Sequence, residues 1–179
     1  TKQYENTMLI VSGDHGISPS NWKKGLSYSD FEEMIRVPLI IKYPNGNSKV
    51  IETPVNANTA IFHKILKEKN ISSPAYFNEY LNNNYIYYKG CAVTETIRRP
   101  NENSYSISLT NEKFRYWLQV EINLVELSMK NIINQKLYKV DSHTFDVDES
   151  LDLVDKYPQE TKNFRNLAIE FLHNNFDYQ

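Results

Sequence analysis

The chain has a single cysteine, Cys91. That excludes an internal disulfide framework and says little about compartment. It has no excess of charge of either sign. Lys and Arg number 20 against 22 Asp and Glu, for a formal net charge of −2 and a pI near 6.1. No electrostatic footprint for nucleic acid is therefore present. The basic residues are dispersed, and the 13 tyrosines are not interleaved with a basic patch. No hydrophobic run approaches the length of a transmembrane helix. Repeats are absent, and low complexity is confined to Asn82-Asn83-Asn84. What remains is 179 residues, enough for one domain, or one and a fraction, with a real core.

The most informative stretch is Thr7-Met8-Leu9-Ile10-Val11-Ser12-Gly13-Asp14-His15-Gly16. An apolar run too short for a helix reads as a buried strand of a mostly parallel sheet. Asp14 and His15 then follow the strand's carboxyl end, where open α/β sheets place ligands. Adjacent strand residues point to opposite faces. Two neighbouring ligands can converge only where the strand has broken into a turn, which Gly13 and Gly16 permit. A carboxylate oxygen and an imidazole nitrogen suit a divalent cation. An ordinary turn, with Asp14 bonding backbone amides, gives the same residues.

The chain changes character along its length. Residues 13–28 read as a loop, residues 36–43 as a second buried strand with Pro38 near its start, and Asp30–Met34 as a single helical turn. Pro44–Asn47 reads as a turn. Thr59–Lys67 has the pattern of an amphipathic helix capped by Asn58 or Thr59, and residues 70–84 form a polar linker. Beyond it, Tyr85–Val93, Tyr105–Leu109, Phe114–Ile122 and Leu137–Val140 are β-rich segments. Turns at Arg99–Asn103 and Asn111-Glu112 separate them and predict a small antiparallel sheet. Pro158 opens a last helix with Phe164, Leu167, Ala168, Phe171 and Leu172 on its inner face.

Several landmarks occur in the order found in the sulfatase family of the alkaline-phosphatase superfamily. Ser12-Gly13-Asp14-His15-Gly16 resembles its S-D-H-G strand end. Lys24-Gly25 resembles its Lys-Gly, Tyr28 its following Tyr, and Arg36-Val37-Pro38-Leu39-Ile40-Ile41 its R-V-P-L-I-I strand. Lys136–Asp141 resembles its Leu-Tyr strand, and Asp155–Asn163 the start of its last helix. Family members also carry a strand with paired aspartates followed by C-x-P-x-R or S-x-P-x-R, whose Cys or Ser becomes formylglycine. That strand is missing here, and Cys91 has no Pro or Arg at the right offset.

The resemblance implies an α/β fold: a partial alkaline-phosphatase-like sheet with flanking helices, then a small antiparallel sheet and a C-terminal helix. Residues 1–75 would be the C-terminal part of the core with the metal strand, and residues 76–179 an antiparallel C-terminal subdomain. The parent is expected to be a longer, metal-dependent hydrolase of sulfate esters, small-molecule or saccharide. This chain is expected to be inactive alone and to need the missing N-terminal portion as its partner. A signal peptide's absence then carries no meaning, and localisation is left unassigned.

Asp14 and His15 would be ligands of a divalent metal, calcium first, with manganese, magnesium or zinc as alternatives. Lys24 would be the catalytic cation on the substrate's oxyanion, with Lys23 one residue away as its rival. Arg36 would be structural, through Glu32 or Glu33, Tyr28 would pack, and Glu95 would face the cleft. His63, His143 in its acidic loop and His173 read as surface residues. Two alternatives stand beside the sulfatase reading. One is a phosphoester or phosphonate hydrolase, or a phosphoethanolamine- or phosphoglycerol-type transferase, of the same superfamily. The other is a non-catalytic sulfatase-like binding or structural module.

Overall fold

The computed structural model describes residues 2–16, 35–44, 46, 65, 88–97, 103–123, 128–144 and 146–176. The expected turn at Asp30–Met34, the linker and the boundary near residue 75 lie outside the described residues. So does the Thr59–Lys67 helix apart from Ile65, which is helical.

The fold is α/β, with two antiparallel sheets and a long C-terminal helix. A single turn, α1 (Lys2–Glu5), precedes β1 (Leu9–Ser12), which pairs with β2 (Leu39–Lys42). The pairing is antiparallel, Leu9 with Lys42 and Ser12 with Leu39, against the mostly parallel arrangement expected for these two strands. An apolar run specifies a strand but not its direction, and the long connection from Ser12 to Leu39 allows either.

The expectation of burial on both faces is also corrected. Leu9, Val11 and Ile40 share one face and are 45%, 47% and 61% exposed, while Ile10, Leu39 and Ile41 on the other are half-buried. Lys42 closes the end of the pair. Its Nζ donates to Tyr4 O at 2.7 Å and Thr7 O at 3.0 Å and lies 4.4 Å from the centre of the Tyr4 ring.

The second sheet has the order β3-β4-β5-β6: Ala92–Ile97, Ser104–Thr110, Phe114–Asn123 and Ser128–Lys139. The expected first segment, Tyr85–Val93, is cut by a two-residue hairpin. Lys89 and Gly90 both have positive φ, 48° and 86°, as the type I′ turn requires. Tyr88 and Cys91 exchange backbone bonds of 2.8 and 3.0 Å across it. The Asn111-Glu112 turn stands as expected. Asn111 Oδ1 accepts the amides of Lys113 and Phe114, each at 2.8 Å, so a side chain substitutes for the turn's backbone acceptor. The last strand begins nine residues before the expected Leu137. Its first nine residues, Ser-Met-Lys-Asn-Ile-Ile-Asn-Gln-Lys, lack clean alternation because much of that stretch is an exposed sheet edge, where neither side needs to be apolar.

α2 (Pro158–Phe176) starts with Pro158 in the first turn, where its missing N–H is not needed. Thr161 is buried, and its Oγ1 donates to Tyr157 O at 2.9 Å and Val154 O at 3.2 Å. The helix lays Phe164, Ala168, Phe171 and Leu172 on Tyr105, Ile107, Leu109, Tyr116, Leu118 and Val120 of the sheet. Leu167 is half-buried at the rim. Tyr116 and Phe164 stack with centroids 5.9 Å apart. The sheet's other side is polar yet buried. Ser104, Ser106, Ser108, Arg115 and Gln119 alternate with the core residues and are almost fully removed from solvent, as is Trp117.

Candidate metal-binding turn

β1 ends at Ser12, and the chain bends at once. A Cβ on Gly13 would lie 3.2 Å from Val37 Cγ1 and 3.3 Å from His15 O, so glycine is the residue that lets the turn come so close to the chain before β2. The bend brings two consecutive polar side chains to one side, which an extended strand would not do. His15 Nε2 lies 3.7 Å from Asp14 Oδ2.

Both side chains are exposed and locally anchored. Asp14 Oδ1 accepts the His15 amide at 2.9 Å, and His15 Nδ1 lies 2.6 Å from Gly16 O. A carbonyl only accepts, so Nδ1 is the protonated nitrogen and Nε2 keeps its lone pair. Metal-binding histidines are oriented this way, with the far nitrogen donating to a carbonyl. The His15 amide, and the imidazole whenever both of its nitrogens carry protons, hold the Asp14 carboxyl below its ordinary pKa. It is an anion at neutral pH.

These residues fit a cation as a pair of donors. Oxygen and nitrogen ligands each about 2.0–2.6 Å from a divalent cation lie roughly 3–4 Å apart when their bonds meet at or somewhat beyond a right angle, and 3.7 Å falls in that interval. Among the described residues no group of three or more His, Cys, Asp or Glu gathers to hold a metal. The described part of the chain therefore offers two donors. Among the described residues, the strand that the turn ends belongs to a two-stranded sheet.

Lys24, Lys23, Tyr28, Glu32, Glu33 and His63 lie outside the described residues. Among the described residues, Arg36 has partners at the far end of the chain. Its guanidinium bonds the Asp146 carboxylate and, through Nη2, Thr144 O at 2.5 Å. Nothing in the sequence flags this contact, because it joins residues more than 100 positions apart. Glu95 is engaged with the Tyr105 hydroxyl beside the helix-covered face. Burial raises its carboxyl pKa, and the Tyr105 bond opposes the shift.

The acidic segment around His143 turns its carboxylates on its own backbone. Asp141 Oδ1 accepts the His143 and Thr144 amides at 2.8 and 2.9 Å, and Asp148 Oδ1 accepts Ser150 N at 3.0 Å. Asp152 Oδ1 accepts Leu137 N and Val154 N, both at 3.1 Å. The Cys91 thiol is buried, which pushes its pKa up to about 11. It is a packed thiol and not an exposed nucleophile.

The family model described as Sulfatase matches residues 1–68. That segment, which includes β1, the Asp14–His15 turn, Lys24 and β2, is similar to the sulfatase family over 68 of the chain's 179 residues. A comparison with curated proteins returns no match. Among the described residues, no helix is long and apolar enough to cross a membrane.

Proposed function

We propose that this chain is part of a metal-dependent hydrolase of sulfate esters, with Asp14 and His15 as two of the metal's ligands. The observation that carries the proposal is the convergence of Asp14 Oδ2 and His15 Nε2, 3.7 Å apart, on a segment matched by the Sulfatase family model. A bound divalent cation, calcium first, would withdraw charge from a sulfate oxygen and acidify a nucleophile. The chain's own residues do the rest of what it contributes. Asp14 brings the negative charge, His15 brings a lone pair aimed by the Gly16 carbonyl, and Lys24 would bring a cation for the ester's oxyanion. Cys91, the chain's one thiol, is buried in the core and is not the proposed nucleophile. A sulfated saccharide is the proposed substrate class.

The test is turnover by the open reading frame that contains this chain together with whatever coding sequence precedes Thr1. Aryl sulfate hydrolysis that falls at least about 100-fold in Asp14→Asn supports the reading, since a lost ligand removes charge and geometry together. Hydrolysis of aryl phosphate alone moves the protein to the phosphoester branch. Turnover of neither, with no calcium-dependent shift of the His15 amide, leaves a non-catalytic module and refutes the proposal.

A further inference from the structure

The ladder between β1 and β2 stops at Ser12 and Leu39. The next residue of the second strand is Pro38, which has no N–H to continue it. Asp14 and His15 therefore lie beyond the sheet's hydrogen bonds, held by their own short-range bonds and by the approach of Val37 to Gly13. If the antiparallel register is carried past its last pair, Arg36 lies level with His15 and Val37 with Asp14. Where the turn sits thus depends on where Arg36-Val37 is held.

The structure ties that segment to the C-terminal subdomain. Arg36 reaches the Asp146 carboxylate with Nη1 and Thr144 O with Nη2. The receiving loop is itself braced. Val140 bridges to Val147, and Asp141 N donates to Asp146 O at 2.9 Å. Asp141 Oδ1 caps the amides of His143 and Thr144, and Thr144 Oγ1 accepts Asp146 N at 3.3 Å. Val140 directly follows β6 and is buried, so the loop is anchored in the sheet that α2 covers. Both partners of the ion pair are exposed. An exposed ion pair adds little stability. A planar guanidinium bonded at two points adds direction.

We propose that Arg36 is a positioning residue. Through Asp146 and the Thr144 carbonyl it fixes the β-end that carries Asp14 and His15 against the C-terminal subdomain, so that the two ligands keep the spacing a divalent cation needs. This rests on the metal reading of the turn given above. It assigns the subdomain a part in the metal site that none of its own side chains plays directly.

The test uses the 179-residue chain and calcium alone, read through the backbone amide shifts of His15 and Gly16. Loop residues 141–148 are followed separately, so that binding to their carboxylates is not mistaken for binding at the turn. Arg36→Gln and Asp146→Asn should each weaken calcium at the turn by about 10-fold, the size of effect seen when a ligand's support is removed, with the unfolding midpoint unchanged. The double variant should be no weaker than Arg36→Gln, because the Asp146 contact is already lost with the guanidinium. Arg36→Lys, which keeps the charge and loses the fork, should fall between wild type and Arg36→Gln. Should Arg36→Gln fail to fold, Asp146→Asn decides the matter alone, since it alters only an exposed loop carboxylate. Wild-type affinity in Asp146→Asn, or effects of the two singles that add, overturns the positioning role and leaves the metal reading intact. A wild-type chain with no calcium response at His15 overturns the metal reading and the positioning role with it.

Discussion

Phe164 is one of four buried residues that fasten α2 to its sheet, and its removal has a size that the structure sets. The ring is 6% exposed. It stacks on Tyr116 at 5.9 Å and 22° and meets Phe114 edge-on at 6.5 Å and 77°. Phe164→Ala removes the whole buried ring from a packed site and should cost about 3–5 kcal/mol. Phe164→Leu keeps most of the apolar volume and loses two ring pairs at about 0.5–1.5 kcal/mol each, so about 1–3 kcal/mol. Domains of this kind have about 5–15 kcal/mol in total, so the alanine variant stays folded only in mild conditions. With a urea dependence of about 2 kcal/mol per molar, the alanine midpoint falls by about 1.5–2.5 M. Urea titrations followed by far-UV circular dichroism measure both variants, and an unchanged slope shows that the same surface is exposed. A loss below about 1 kcal/mol in Phe164→Ala would refute the packing of α2 on β4 and β5 as the main bond between them. A leucine variant as damaged as the alanine one would show that lost volume is not the main cost of the substitution.

The Cys91 thiol, pushed up to about 11 by burial, should resist a disulfide reagent at pH 8 in the folded chain and react fully in denaturant; rapid reaction of the native chain would show the site to be open. The Lys89 ammonium holds the Glu170 carboxyl below its ordinary pKa. Folding therefore gains from this group above the unfolded pKa and loses the gain as pH falls through the folded one. Lys89→Ala should flatten the acid limb of a melting-temperature profile, and an unaltered limb would refute the pairing. Glu95 has the opposite sign, because burial raises its pKa. Its stabilising effect is complete below the unfolded pKa and is lost as pH rises through the folded one, so Glu95→Gln should gain on wild type at neutral pH and keep less of that gain in acid. A pH-independent difference would count against it. Asp14→Ala should abolish the calcium response of the His15 amide and His15→Ala should weaken calcium affinity, while His143→Ala and His173→Ala leave the response unchanged. An equal loss in His143→Ala would move the chemistry to the acidic loop.

The sequence by itself determined what depends on near neighbours. Gly13 beside Asp14 and His15 announced a turn that could bring two consecutive side chains to one side, and the structure has such a turn. The Asn111 turn and the core face of α2 were legible for the same reason: helical period and turn chemistry are local. Tertiary structure alone decided the rest. Leu9, Val11 and Ile40 read as core because apolarity does not say which face a sheet covers, and β1 and β2 run antiparallel because direction is set by the whole chain path. The first half of β6 is polar enough to pass for loop and is a strand because β5 offers it backbone partners. Arg36 had carboxylates close by at Glu32 and Glu33, yet it also reaches Asp146, 110 residues away. Local pattern encodes which shape a segment can take; which distant segment meets it follows from the path of the fold, and no spacing along the chain records that meeting.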